Sequence, residues 1–140
     1  MWIKQLGDSY SEGEDVLAYS SGNVYVTGYT YGDFDGNKNL GSKDIIIVKY
    51  NSSVTKQWTK QYGTSSDDEG KGITLDSSGY IYITGHTNGG LYGNTNAGYT
   101  DIFLMKLDSS GKIQWSENQF RRFTQLTHGL KYFSYFYSAH

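Results

Sequence analysis

Two carboxylates at alternate positions open the most calcium-like stretch of the chain, Asp33-Phe34-Asp35-Gly36-Asn37-Lys38-Asn39. Oxygen-bearing side chains at every second position are how hard-cation loops gather their ligands. The rest of the stretch departs from that design. Lys38 stands where an EF-hand-like loop needs glycine, and Asp44, at the twelfth position, opens an apolar strand. We expect an Asn/Gly-rich turn and no tight calcium site. Asp67-Asp68-Glu69 is a second acidic cluster. Paired carboxylates can hydrolyse glycosides, but a charge run of this kind is expected to be a solvated turn. Asp44 and Asp101 each open an apolar run, where a carboxylate is suited to accepting backbone N–H bonds. His86, His128 and His140 have no clustered partners and make no zinc site. No nucleophile-elbow, P-loop or zincin pattern is present. Trp2, Trp58 and Trp115 could stack on sugars, but their even spacing suits packing between units. No catalytic, cofactor-binding or metal residue is therefore assigned, and an enzyme is not expected.

The elements that hold these residues are written twice. Trp2-Ile3-Lys4-Gln5-Leu6-Gly7 returns as Trp58-Thr59-Lys60-Gln61-Tyr62-Gly63, a shift of 56. Gly22 through Thr30 returns as Gly79 through Thr87, and Asp44 through Trp58 returns as Asp101 through Trp115, both with a shift of 57. The one-residue slip falls in a turn, Ser20-Ser21-Gly22 against Asp76-Ser77-Ser78-Gly79. A period this long marks stacked units of one supersecondary design.

Within one period the pattern is that of strands. Gly72–Leu75 is short and alternating. Tyr80–Thr84 alternates strictly, with Ile81 and Ile83 on one face and Tyr80, Tyr82 and Thr84 on the other. A Gly/Asn-rich loop covers 85–100. Asp101–Leu107 is the most apolar run, and Lys112–Trp115 closes the unit. The first copy follows through Val16–Tyr19, Val24–Thr27, Ile45–Tyr50 and Thr55–Trp58. Turns such as Asp108-Ser109-Ser110-Gly111 are short hairpin connections. Four antiparallel strands make a small sheet with two apolar faces, which radial packing covers; this is the logic of a β-propeller blade. The fold class is all-β, with propeller-type blades that are each a four-stranded antiparallel sheet. Two blades make a propeller that is incomplete or completed by oligomerisation. The units are 1–57, 58–115 and an atypical segment 116–140.

Composition narrows the function classes. Twelve Lys+Arg balance 14 Asp+Glu, so no basic block points to nucleic acid. Tyrosine (14) and glycine (18) are abundant and proline is absent, as suits short strands and tight turns. Without cysteine there is neither a disulfide framework nor a thiolate metal site. No run of ~18 apolar residues could span a membrane as a helix, and Met-Trp-Ile-Lys-Gln has no signal-peptide core. The chain opens inside a repeat, so we expect a fragment of a longer protein.

The two copies resemble the bacterial and archaeal β-propeller repeat called SBBP. The likeness rests on Gly22–Thr30, on Asp44-Ile45 through Lys49-Tyr50 and on Trp58. In the second copy it rests on Asp76–Gly85, Asp101-Ile102-Phe103, Lys106–Gly111 and Trp115. It covers roughly Trp2 to Trp115. It implies a secreted or cell-surface repeat module with no defined reaction and no cofactor, which presents loops to a protein or carbohydrate ligand. Homo-oligomers could complete the ring. The alternatives are part of a propeller lyase or hydrolase whose site needs missing blades, and a purely structural spacer or degraded gene product.

The repeat breaks down after Phe120. From Arg121 to His140 there is no acid, and aromatics crowd into Tyr132-Phe133-Ser134-Tyr135-Phe136-Tyr137. One explanation is a frameshift, because Arg-Arg-Phe codons read one base later can give the Gly-Asp-Ser found at Gly7-Asp8-Ser9. The other is a genuine aromatic segment capping the second blade.

Overall fold

The computed structural model describes residues 1–7 and 9–117. The expected third-repeat start at 118–120 and the aromatic tail lie outside the described residues. Eight strands run in chain order: β1 (Ser11–Ala18), β2 (Val24–Thr30), β3 (Asp44–Tyr50), β4 (Lys56–Tyr62), β5 (Asp68–Leu75), β6 (Ile81–Thr87), β7 (Asp101–Leu107) and β8 (Ile113–Glu117). They form two antiparallel four-stranded sheets, ordered β1-β2-β3-β4 and β5-β6-β7-β8. This is the expected blade design, and the sheets do not close into a ring. The cut between 57 and 58 falls inside β4, so the sequence unit and the sheet are offset.

Side-chain oxygens set the tight turns. Asn51 Oδ1 accepts the backbone N–H groups of Ser53 and Thr55. Asp76 Oδ1 does the same for Ser78 and Tyr80, and Asp108 Oδ1 for Ser110 and Lys112. Each is an Asx turn, which needs no help from tertiary packing. Each sheet carries two register shifts among the described residues, the first at Gly13/Asp15 against β2 and at Gly70/Gly72 against β6, and the second at Lys49/Tyr50 against β4 and at Lys106/Leu107 against β8. The shifts on β1 and β5 involve the closest backbone approach. There the strands approach so closely that a Cβ on Gly28 or Gly85 would lie 1.8 Å from the carbonyl oxygen of Glu12 or Glu69. Only glycine fits such a backbone approach.

Strands β1, β2, β4, β5, β6 and β8 extend beyond the runs read from the sequence, and β6 takes in Gly85–Thr87, which that reading gave to the loop 85–100. Asp68 and Glu69, for instance, pair with Thr87 and His86 at the start of β5. Ladder bonds are made by the backbone, so charged residues can continue a strand where a partner is present.

The sheets stack face to face. Ile73, Ile81, Ile83, Phe103 and Met105 of the second sheet join Tyr25, Ile45 and Ile47 of the first in one core. Leu17, Trp58 and Tyr62 pack against it. Polar bonds stitch the same seam. Asp68 N–H donates to Lys43 O at 2.8 Å, and Ile73 N–H donates to Asp15 Oδ2 at 3.0 Å. Burying these apolar faces is the main favourable term for the stack. The two ends of the sheets differ. Connections 19–23, 51–55, 76–80 and 108–112 are tight turns, whereas 31–43 and 88–100 are long loops.

Candidate functional site

The long-loop rim gathers the charged and aromatic side chains. Glu69, buried at the start of β5, is ringed by two lysines and an imidazole. Its Oε2 lies 2.9 Å from His86 Nε2 and 3.6 Å from Lys43 Nζ, and its Oε1 lies 3.5 Å from Lys71 Nζ. Lys71 also meets Glu14 at 2.9 Å across the seam. Glu12 holds the same place in the first sheet at a shift of 57, so the one-residue slip between the copies falls before β1 and not in the 19–23 turn. Its partners are hydroxyls. It accepts bonds from Tyr10 and Tyr29, which hold its carboxyl below the usual range and raise both phenols above theirs. The Lys43 ammonium sits 4.7 Å from the Tyr29 ring centre and 5.4 Å from that of Tyr31, within cation–π range. Tyr10 and Tyr31 are exposed and meet edge to face at 5.4 Å. The cluster is thus a charge-compensated patch with an aromatic surface.

A second acidic group lies beneath that rim. Asp44 and Asp68 are fully buried. Asp44 Oδ2 accepts the N–H of Leu40 at 2.6 Å and the amide of Gln61 at 2.8 Å. Asp68 Oδ2 accepts the N–H and hydroxyl of Thr64, and its Oδ1 accepts the Thr87 hydroxyl. Both carboxylates press on Gly63, whose Cβ position is 2.5 Å from Asp44 Oδ1 and 3.0 Å from Asp68 Oδ2. Asp44 Oδ1 and Gln61 Oε1 are buried with no hydrogen-bond donor. Desolvation raises the pKa of both acids, and the charge of Asp44 adds to the rise at Asp68. Asp101 opens β7 as Asp44 opens β3, and its Oδ2 accepts Ala97 N–H at 2.5 Å. Both therefore bind backbone N–H groups at strand starts.

The solvated-turn reading of Asp67-Asp68-Glu69 is corrected. Asp68 and Glu69 are buried because β5 packs against the first sheet, which the local sequence does not encode. The Asp33–Asn39 stretch is a turn whose acids are already occupied. Asp33 accepts Asn39 N–H and pairs with Lys38 at 3.0 Å; Asp35 pairs with Lys56 at 2.5 Å and accepts the Thr59 hydroxyl. Among the described residues no group of three or more His, Cys, Asp or Glu is placed to hold a metal. His86 belongs to the Glu69 cluster, while His128 and His140 lie outside the described residues. Trp58 is half-buried at the seam, donates to Ser109 O at 3.3 Å and packs against Tyr25. Trp115 is buried, and Trp2 is 59% exposed. The sequence reading missed Tyr10, Tyr29, Lys43 and Lys71. The available signal was dissimilarity between copies, since Tyr29 matches His86 and Lys43 matches Thr100.

Two stacked four-stranded antiparallel sheets of one repeated design, with a compensated polar rim, define a propeller-repeat architecture. The family model for the beta-propeller repeat, SBBP, matches residues 2–35 and 57–93, and the chain belongs to that family. We found no match among curated proteins. No helix among the described residues is long and apolar enough to cross a membrane.

Proposed function

We propose that this chain is a non-enzymatic module of a secreted or cell-surface protein, part of a longer propeller, whose long-loop rim binds a protein or carbohydrate. The observation that carries this reading is the asymmetry of the sheets. The tight turns at one end expose little apolar surface. The other end exposes Tyr10, Tyr31, Leu40, Tyr92 and Tyr99 on or beside the long loops. Loops on a rigid scaffold are where binding residues concentrate, and exposed tyrosines offer an apolar ring with a polar tip. The test is binding of the chain to arrays of immobilised oligosaccharides and peptides, repeated with Tyr31→Ala and Tyr99→Ala combined. Retained signal in the double variant would defeat the reading.

A lyase or hydrolase reading has one observation in its favour. Glu69 and His86 form a carboxylate–imidazole pair at 2.9 Å on the same rim, a geometry suited to proton transfer. Cleavage of an array oligosaccharide, lost in His86→Ala, would favour it over binding.

A further inference from the structure

The seam between the sheets is a template for a second one. Sheet two meets sheet one through Ile73, Ile81, Ile83, Phe103, Met105 and Leu91. At a shift of 57 their counterparts in sheet one are Val16, Val24, Val26, Ile46, Val48 and Phe34. These residues line a groove of about 400 Å³ on the far side of sheet one. Ile73 is buried, whereas Val16 is 62% exposed. The receiving face of sheet one is built from Ile45, Ile47, Tyr25 and Trp58. Its counterparts in sheet two are Ile102, Leu104, Tyr82 and Trp115. Ile45 is fully buried, whereas Ile102 is 50% exposed.

We infer that these two faces, exposed at Val16 and Ile102, are the halves of one interface, and that a second copy of this chain docks its sheet-one groove onto the outer face of sheet two. The contact repeats the existing seam, so its apolar partners correspond one for one. Its polar partners match as well. Lys71 pairs with Glu14 across the present seam, and stacking brings Glu14 of the second copy to the other side of Lys71. Ser11 of the second copy takes the place that Asp68 holds, so a hydroxyl rather than a carboxylate meets Asp101. Trp2, Lys4, Gln5 and Leu6 of the segment 2–6 already line the groove. By sequence they repeat the β4 segment from Trp58 to Tyr62, so they mark the place of the incoming outer strand. They lie outside every strand of the fold, and the incoming β8 displaces them. The contact is heterologous, joining different faces, so copies add head to tail until a ring closes or a filament grows.

Light scattering of the full chain tests this. The wild type should give a mass of two chains or more. Val16→Asp and Ile102→Asp alter residues that are exposed within one chain, so each should stay folded by circular dichroism and run as a monomer. Each variant spoils a different face. An equimolar mixture should therefore recover a dimer, joined through the groove of Ile102→Asp and the outer face of Val16→Asp. A folded monomeric wild type would overturn the inference. So would association or aggregation that neither substitution reduces, or a mixture that stays monomeric. Neither residue belongs to the long loops, so failure here leaves the ligand-binding reading standing, and loss of ligand binding leaves this one standing.

Discussion

Replacing Asp44 by asparagine should stabilise the protein at neutral and alkaline pH. Asp44 is fully buried, and its Oδ1 has no donor while facing the Asp68 carboxylate across Gly63. Its pKa is raised by desolvation, so the folded state favours the neutral acid. The sign follows from linkage. The stability contributed by this group is fully present below the ordinary Asp value of about 3.9, and it is lost as pH climbs through the raised value. Asparagine keeps a carbonyl oxygen for the Leu40 and Gln61 donors and puts an N–H where the bare oxygen stands. Leaving a buried polar atom unsatisfied costs about 1–3 kcal/mol, and more when it is charged. Neutralising one buried charge of a like pair removes that cost. Against it stands the loss of charge-assisted bonds from Leu40 and Gln61, which are stronger than neutral ones. The net gain for Asp44→Asn should be about 1–2 kcal/mol at pH 8, shrinking as pH falls toward the ordinary Asp value of about 3.9. Asp44→Ala should instead lose about 1–3 kcal/mol across the range, because two donors lose their acceptor. Urea unfolding at fixed protein concentration, in steps from pH 4 to pH 8, measures all three proteins. If Asp44→Asn were less stable than the parent at pH 8, or the difference ignored pH, the account of this carboxylate pair would be wrong.

Two further outcomes follow from packing. Trp58→Ala should cost about 3 kcal/mol, the lower end for a buried ring because this one is half-exposed; an unfolding midpoint equal to the parent's would remove Trp58 from the seam. Gly85→Ala should cost at least about 3 kcal/mol, since its Cβ would meet the Glu69 carbonyl at 1.8 Å. Thermal melts showing a cost under 1 kcal/mol would mean that the β5–β6 approach relaxes more easily than a backbone contact should.

The amino-acid sequence by itself determined the repeat, the eight strands and the tight turns. These are short-range properties. Alternation places Ile81 and Ile83 on one face because side chains alternate along any strand, and Asp76 or Asp108 caps its turn with its own carboxylate. The tertiary structure decided the fate of the polar residues. Asp68-Glu69 has the composition of a solvated turn, yet stacking against the first sheet buries both acids and brings Lys43 to Glu69, while β5–β6 pairing sets His86 beside it. Glu12 and Glu69 occupy equivalent positions but take hydroxyl and nitrogen-bearing partners respectively, because the neighbours are Tyr10 and Tyr29 in one case and Lys43, Lys71 and His86 in the other. Burial and charge environment are set by groups distant in the chain, so equivalent strands in one repeat acquire different chemistry once the sheets are packed.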